Sequence, residues 1–261
     1  MRNIIIATGP IADGKTTLIG RLRQEFARRK IPQSLDVISD GAFLLEAIKW
    51  DHKHHRGAHH MHEGQSIPVV HDHSEEPKNY DFVAAGAEIQ TFMFKNFFSQ
   101  LANVRDTPTI VFAELAGGGG EFFPGNPLAA NDYSYRHMVD GLTSGVFEKE
   151  WIHHLFMVIH PSSEFSDRVR WNKDRLVHPP SDEDISAGRA SWGVPEVVMG
   201  NTKHDDFDVF QQYLESHGVH RSRIETITNG GNAEFFGQAM AALERQGIGL
   251  PEGQSSRKEI R

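Results

Sequence analysis

A chain of 261 residues, 38% hydrophobic and carrying 17 phenylalanines, suits one large α/β domain or a core with one substantial insertion. No apolar run approaches the roughly 20 residues of a membrane span, and the opening MRNIIIATGP is too short in its apolar part for a secretory signal. Zero cysteines exclude disulfides and thiolate metal sites and fit a cytoplasmic location, while a formal net charge of −8 disfavours non-specific nucleic-acid binding.

In chain order, Asn3–Thr8 is an Ile-rich run that reads as a buried strand, and Lys15–Lys30 repeats Leu18, Leu22 and Phe26 at helical spacing. Leu35–Ser39 reads as a second strand. Tyr80–Val104 is the longest helical pattern, with Phe82, Ile89, Phe92, Met93, Phe97 and Leu101 near one stripe. Thr109–Leu115, Ile152–His160 and Ile224–Thr228 read as the third, fourth and fifth strands, and Ala233–Leu243 as a closing helix. Strands alternating with helices argue for an α/β fold with a doubly wound, mostly parallel five-stranded sheet and helices on both faces. Ligands of such sheets bind beyond the carboxyl ends of the strands. The expected organisation is one domain over 1–250, a His-rich insertion at 51–79, a lid at 166–195 and a flexible tail at 251–261.

After the first strand comes Gly9-Pro-Ile-Ala12-Asp13-Gly14-Lys15-Thr16, which fits G-x-x-x-x-G-K-[ST] between a strand and a helix. Glycines let backbone N–H groups curl round phosphate oxygens, and the helix start adds partial positive charge. Lys15 is placed to reach the β/γ-phosphates, Thr16 to ligate Mg²⁺, and Thr17 continues the loop into the helix. Glu114 closes the third strand, as a second Mg²⁺ group or as a solvated carboxylate. Asp40 ends the second strand, as a base for an acceptor hydroxyl or as the N-cap of a following helix. In Ser166–Arg175, Arg168 and Arg175 fall seven apart on one helix face, with Arg170 between them. Such arginines neutralise a transferred phosphoryl group, or lace a solvated face with Asp–Arg pairs.

These residues resemble the P-loop kinases of nucleosides, nucleotides and related small metabolites. The Asp13–Thr17 ending is similar to that of thymidylate-kinase-like enzymes, VISDGAF to the family's acidic strand end, and SDRVRWNKDR to its Arg-bearing lid helix. IETITNGGNAEFFGQAMAAL resembles the last strand, Asn-Gly turn and closing helix, where the turn containing Asn229 lies near the adenine. The resemblance implies ATP, Mg²⁺, phosphoryl transfer to a small-molecule or nucleotide-like acceptor, and a lid that excludes water. The third strand departs from the family by lacking the usual Asp-Arg pair and running into four glycines, Gly117–Gly120.

Two other readings stay open. A P-loop GTPase that delivers metal ions is similar in GPxxxGKT, in bearing His-rich segments and in a third strand ending Glu-x-x-Gly. Thr202-Lys203-His204-Asp205 then offers a variant of the guanine-reading N-K-x-D motif. A polynucleotide or modified-base kinase would share the P-loop, with only short basic clusters such as Arg21–Arg29 and Arg168–Arg175 to support it.

The insertion holds DHKHHRGAHHMHEG. As a helix it places His52, His55, His59 and His62 near one face. As an extended segment it pairs 52/54, 60/62 and 71/73. Either arrangement offers imidazoles to Zn²⁺ or Ni²⁺, to a substrate-closing flap, or to solvent.

Overall fold

The computed structural model describes residues 2–43, 46, 60–62, 65–67, 87–117, 134–178, 181, 183–184, 199, 205–231 and 233–248. Five strands form one all-parallel sheet: β1 (Ile4–Gly9), β2 (Ile38–Ser39), β5 (Val111–Ala116), β6 (Leu155–Ser162) and β7 (Ile224–Thr228), in the spatial order β2-β5-β1-β6-β7. A separate antiparallel hairpin pairs β3 (His60–His62) with β4 (Gln65–Ile67). The helices are α1 (Lys15–Arg28), α2 (Ala87–Ala102), α3 (Tyr135–Ser144), α4 (Phe165–Val177), α5 (Phe207–Ser216) and α6 (Ala233–Arg245).

The sheet's centre follows from the sequence. All six residues of β1 are buried, as expected of a parallel strand covered on both faces. Alternation then sorts them: Ile4 and Ile6 face a core with α2, α3 and α5, while Ile5 and Ala7 face α1 and α6. Met93, Phe97 and Leu101 of the expected stripe, joined by Phe94 and Phe98, carry α2 onto the first of these cores, whereas Phe92 is 40% exposed; Phe98 stacks on Trp151 at 5.6 Å. Each large side chain so buried contributes about 1.5–3 kcal/mol. On the other face Leu18, Leu22 and Phe26 line α1, and Phe26 meets Phe112 of β5 at 5.3 Å.

Connections from β1 run to one side through β2 and β5, and to the other through β6 and β7. The order therefore reverses between β1 and β6, where open α/β sheets bind their ligands. This is the α/β architecture expected from the sequence, and it is consistent with a P-loop NTPase fold.

The elements depart most from the sequence expectation in three places. The second strand is only two residues long, preceded by an isolated bridge between Gln33 and Ile110. Residues expected to open the fourth strand form a 3₁₀ turn, Glu150–His154, because Trp151 swings inward and donates from Nε1 to the Glu148 carbonyl. Helices α3 and α5 lay outside the predicted elements. Helix α3 is secured by Ser134, whose hydroxyl accepts from His137 N–H at 3.2 Å, and by Asp206, which accepts from the Tyr135 and Arg136 amides. The expected tail, the residues of the lid beyond its described positions, and His52, His55 and His59 lie outside the described residues. At 60–62 the backbone is a strand, so the helical arrangement that would have included His62 does not hold there.

Candidate active site

The loop from Gly9 to Gly14 turns on backbone conformations that most side chains resist. Ala12 takes φ 66° and Gly14 φ 85°, both left-handed. A β-carbon on Gly14 would also collide with Asn229 Nδ2, so glycine is required twice over. Asn229 explains the crowding. Its Nδ2 donates to the Asp13 carbonyl at 2.8 Å, its N–H donates to the Ser162 carbonyl at 2.7 Å, and its Oδ1 accepts from Gly231 N–H at 3.0 Å. The turn after β7 thereby keys the loop after β1 to the end of β6.

At the start of α1, Lys15 is buried and its Nζ donates to the carbonyls of Gly9 at 2.8 Å and Pro10 at 2.7 Å. Burial lowers its pKa, while Glu114, Asp13 and Asp40 oppose that shift. Thr16 Oγ1 donates to Glu114 Oε1 at 2.6 Å, joining the helix to the end of β5. Burial raises the Glu114 pKa against the pull of Lys15.

Asp40 begins a helical turn after β2, and both of its oxygens are engaged. Oδ1 accepts from Gly41 N–H at 2.8 Å and Oδ2 from Ala116 N–H. The carboxylate therefore fastens the start of the turn to the neighbouring strand end, beside Glu114. Burial, helped by the Glu114 charge, pushes its pKa up to about 7.

The three arginines of α4 separate. Arg175 faces Glu114 and Lys15, and burial lowers its pKa. Arg168 is buried at the inner end of the helix, between the charges of Asp13 and Asp205, with its guanidinium over Phe165 at 5.3 Å. Arg170, on the opposite face, is 70% exposed and pairs with Asp167 at 2.8 Å. Arg170 thus points away from the side of α4 that faces Lys15 and Glu114.

A cleft of about 300 Å³ opens along the loop, lined by Gly14, Thr17, Arg175, Asn229, Trp171 and Phe235, among others. Gly231 takes φ 75°, and a β-carbon there would lie 3.3 Å from Trp171 Cζ2, so α4 lies close over the turn after β7. The cleft's size is within the range of small-molecule sites. Gly14 and the start of α1 form one wall of the cleft, with Phe235 close to Gly14, and Trp171 and Arg175 of α4 form another.

Several neighbours were not among the sequence candidates. His160, at the end of β6, donates from Nδ1 to the Thr8 carbonyl at 2.9 Å, and its Nε2 faces Asp205 Oδ2 at 2.8 Å. Its ring stacks on Phe207 at 3.9 Å. Thr8 Oγ1 and Tyr135 Oη share a hydrogen bond of 2.8 Å, and Ser163 Oγ donates to Asp13 Oδ1. His160 and Ser163 stand where the carboxyl end of the fourth predicted strand would place chemistry, which was the signal available. Asp205, the last residue of the T-K-x-D match, is committed to His160 and to the Phe207 amide, and Thr202 and Lys203 lie outside the described residues.

Among the described residues no three His, Asp or Glu side chains are grouped to hold a metal ion, and no helix is long and apolar enough to cross a membrane. No family model matches the sequence, and no curated protein matches it. Among solved structures, "Crystal structure of TT1252 from Thermus thermophilus" is similar at 15% identity and TM-score 0.40, covering 94% of this chain and 97% of that one.

Proposed function

We propose that the chain is an ATP- and Mg²⁺-dependent phosphotransferase acting on a small-molecule or nucleotide-like acceptor. The observation that carries this reading is the Thr16–Glu114 hydrogen bond of 2.6 Å beside Lys15, at the carboxyl ends of adjacent parallel strands. Two hard oxygen donors from separate elements suit Mg²⁺, which takes oxygen ligands and keeps its remaining positions for water and phosphate. Bound there by Thr16 and Glu114, Mg²⁺ would neutralise charge on the phosphoryl oxygens.

The chain's own groups account for the rest. The P-loop amides and Lys15 hold the polyphosphate; Lys15 exchanges its two carbonyl acceptors for phosphate oxygens without leaving the loop. Arg175 offsets charge on the transferred group. Asp40, on the acceptor side of Glu114, receives the proton of the attacking hydroxyl. Thr17, Asn229 and the Trp171 wall bound the nucleotide cleft. The GTPase reading loses its base-reading group, since Asp205 is held by His160 and is not among the residues lining the cleft. The nucleic-acid reading gains no basic groove from Arg168 and Arg170, which point to different faces.

Thermal-shift titration with ATP, GTP and a panel of phosphate-accepting metabolites, each with Mg²⁺, tests the proposal. A rise in melting temperature with ATP is expected, about 2.7 kcal/mol of stabilisation at 100 times Kd. A response to GTP alone would overturn the ATP assignment.

A further inference from the structure

Asp13 is the one acidic residue in the loop from Gly9 to Thr16. Its side chain is 1% exposed. Oδ1 accepts a hydrogen bond from the Ser163 hydroxyl, and Oδ2 has no hydrogen-bond partner among the described residues. Lys15, two positions on, does not relieve it, because that ammonium is turned to the Gly9 and Pro10 carbonyls. Oδ2 lies against the loop's own backbone, 3.1 Å from where a β-carbon on Gly9 would stand. The charged or titratable groups that face Asp13 are Lys15 of α1, His160 of β6, Arg168 of α4 and Tyr135 of α3. Its other polar neighbours are Ser163 and Asn229, the latter bonded to its carbonyl.

We propose that Asp13 takes up a proton when the loop binds a nucleotide polyphosphate, so that nucleotide binding by this chain is proton-linked. This rests on the nucleotide-binding reading above. The proton comes from solvent and settles on the carboxyl group, whose Oδ2 has no donor to stabilise a charge. The Ser163 hydroxyl serves either form, since it can donate to a carboxylate or to a carboxyl carbonyl. Burial already raises the Asp13 pKa to about 6 against the opposing cations. Several phosphate charges entering the same loop act in the same direction, because a like charge disfavours the ionised carboxyl. Binding that takes up a proton weakens as pH rises, by up to tenfold per unit between the free and bound pKa values.

Isothermal titration of the full chain with MgATP, in two buffers of different ionisation enthalpy, counts the protons. Wild type is expected to take up a substantial fraction of one proton at pH 7.5, and almost none at pH 5, where Asp13 already carries it. The phosphates themselves can also exchange protons on binding. Asp13→Asn, which keeps an acceptor for Ser163, separates the two: its uptake at pH 7.5 should fall by the Asp13 share. Its affinity relative to wild type should improve steadily as pH rises above about 6. Binding by wild type with no proton uptake at pH 7.5 overturns the proposal, and so does an uptake unchanged in Asp13→Asn. If the variant does not fold, the wild-type contrast between pH 5 and pH 7.5 decides alone. Absence of MgATP binding at every pH brings down the nucleotide reading itself.

Discussion

Thr16 Oγ1 and Glu114 Oε1 meet at 2.6 Å across 98 positions of sequence. The bond ties the first turn of α1 to the end of β5 and brings together two oxygens of the kind Mg²⁺ selects. Thr16→Ala and Glu114→Gln should each raise the Mg²⁺ concentration for half-maximal turnover by at least about tenfold. An Mg²⁺ titration of initial rates reads this directly, and an unchanged requirement in both variants would remove the pair from the metal site.

Lys15→Ala should lower turnover by about 10² to 10³-fold, the loss typical of a charge-stabilising donor. Circular dichroism should show a folded protein, with the urea midpoint lowered because the buried Gly9 and Pro10 carbonyls lose their donor. A near-normal rate would remove Lys15 from phosphate binding.

Arg175 and Arg170 make a matched pair on one helix. Arg175→Ala should reduce kcat by at least about 10²-fold, because that guanidinium faces Lys15 and Glu114. Arg170→Ala should leave kcat near wild type and stability within about 0.5 kcal/mol, because an exposed ion pair contributes little. Steady-state kinetics on both variants tests the reassignment. Equal losses would contradict it.

Asp40 couples rate and stability in opposite senses. As a base it acts ionised, so kcat should rise with pH through about 7. Its folded pKa lies above the ordinary 3.8, so its contribution to stability is fully present below 3.8 and is lost as pH rises through about 7. Asp40→Asn should abolish the rising limb of the rate profile. It should also cost about 1–3 kcal/mol, because one amide oxygen cannot replace the two that accept from Gly41 and Ala116. A loss of stability with the pH–rate profile intact would leave Asp40 a purely structural clamp.

Gly14→Ala should destabilise the fold by about 1–3 kcal/mol through the left-handed backbone alone. The collision with Asn229 adds to this. Urea denaturation of Gly14→Ala with and without Asn229→Ala separates the terms, since the second change relieves the collision and leaves the backbone strain.

The sheet was legible because its strands are short apolar runs followed by glycine or by polar turns, and β7 matched its predicted span. The loop between β1 and α1 was legible because its pattern is local: strand, glycines, lysine, threonine and helix lie within a few residues. What escaped depends on distant partners. Nothing near His160 in sequence announces Asp205 or Phe207, which approach only when α5 packs beside α3. Arg168, Arg170 and Arg175 look alike in sequence, and only the rotation of α4 against the sheet separates buried Arg168 and half-buried Arg175 from solvated Arg170. Helix α3 hid because its first turn is capped in part by Asp206, which lies 70 and 71 positions away from the amides it receives.

The bond from Asn229 to the Asp13 carbonyl spans 216 positions. During synthesis, the first strand and its loop leave the ribosome long before the residue that fixes the loop's shape. Until β7 docks, Gly14 has no Asn229 to brace it, and the loop's sequence is present without its fixed shape. On the proposed function, competence for nucleotide would thus arrive only once β7 has docked beside β6 and Asn229 has reached the loop.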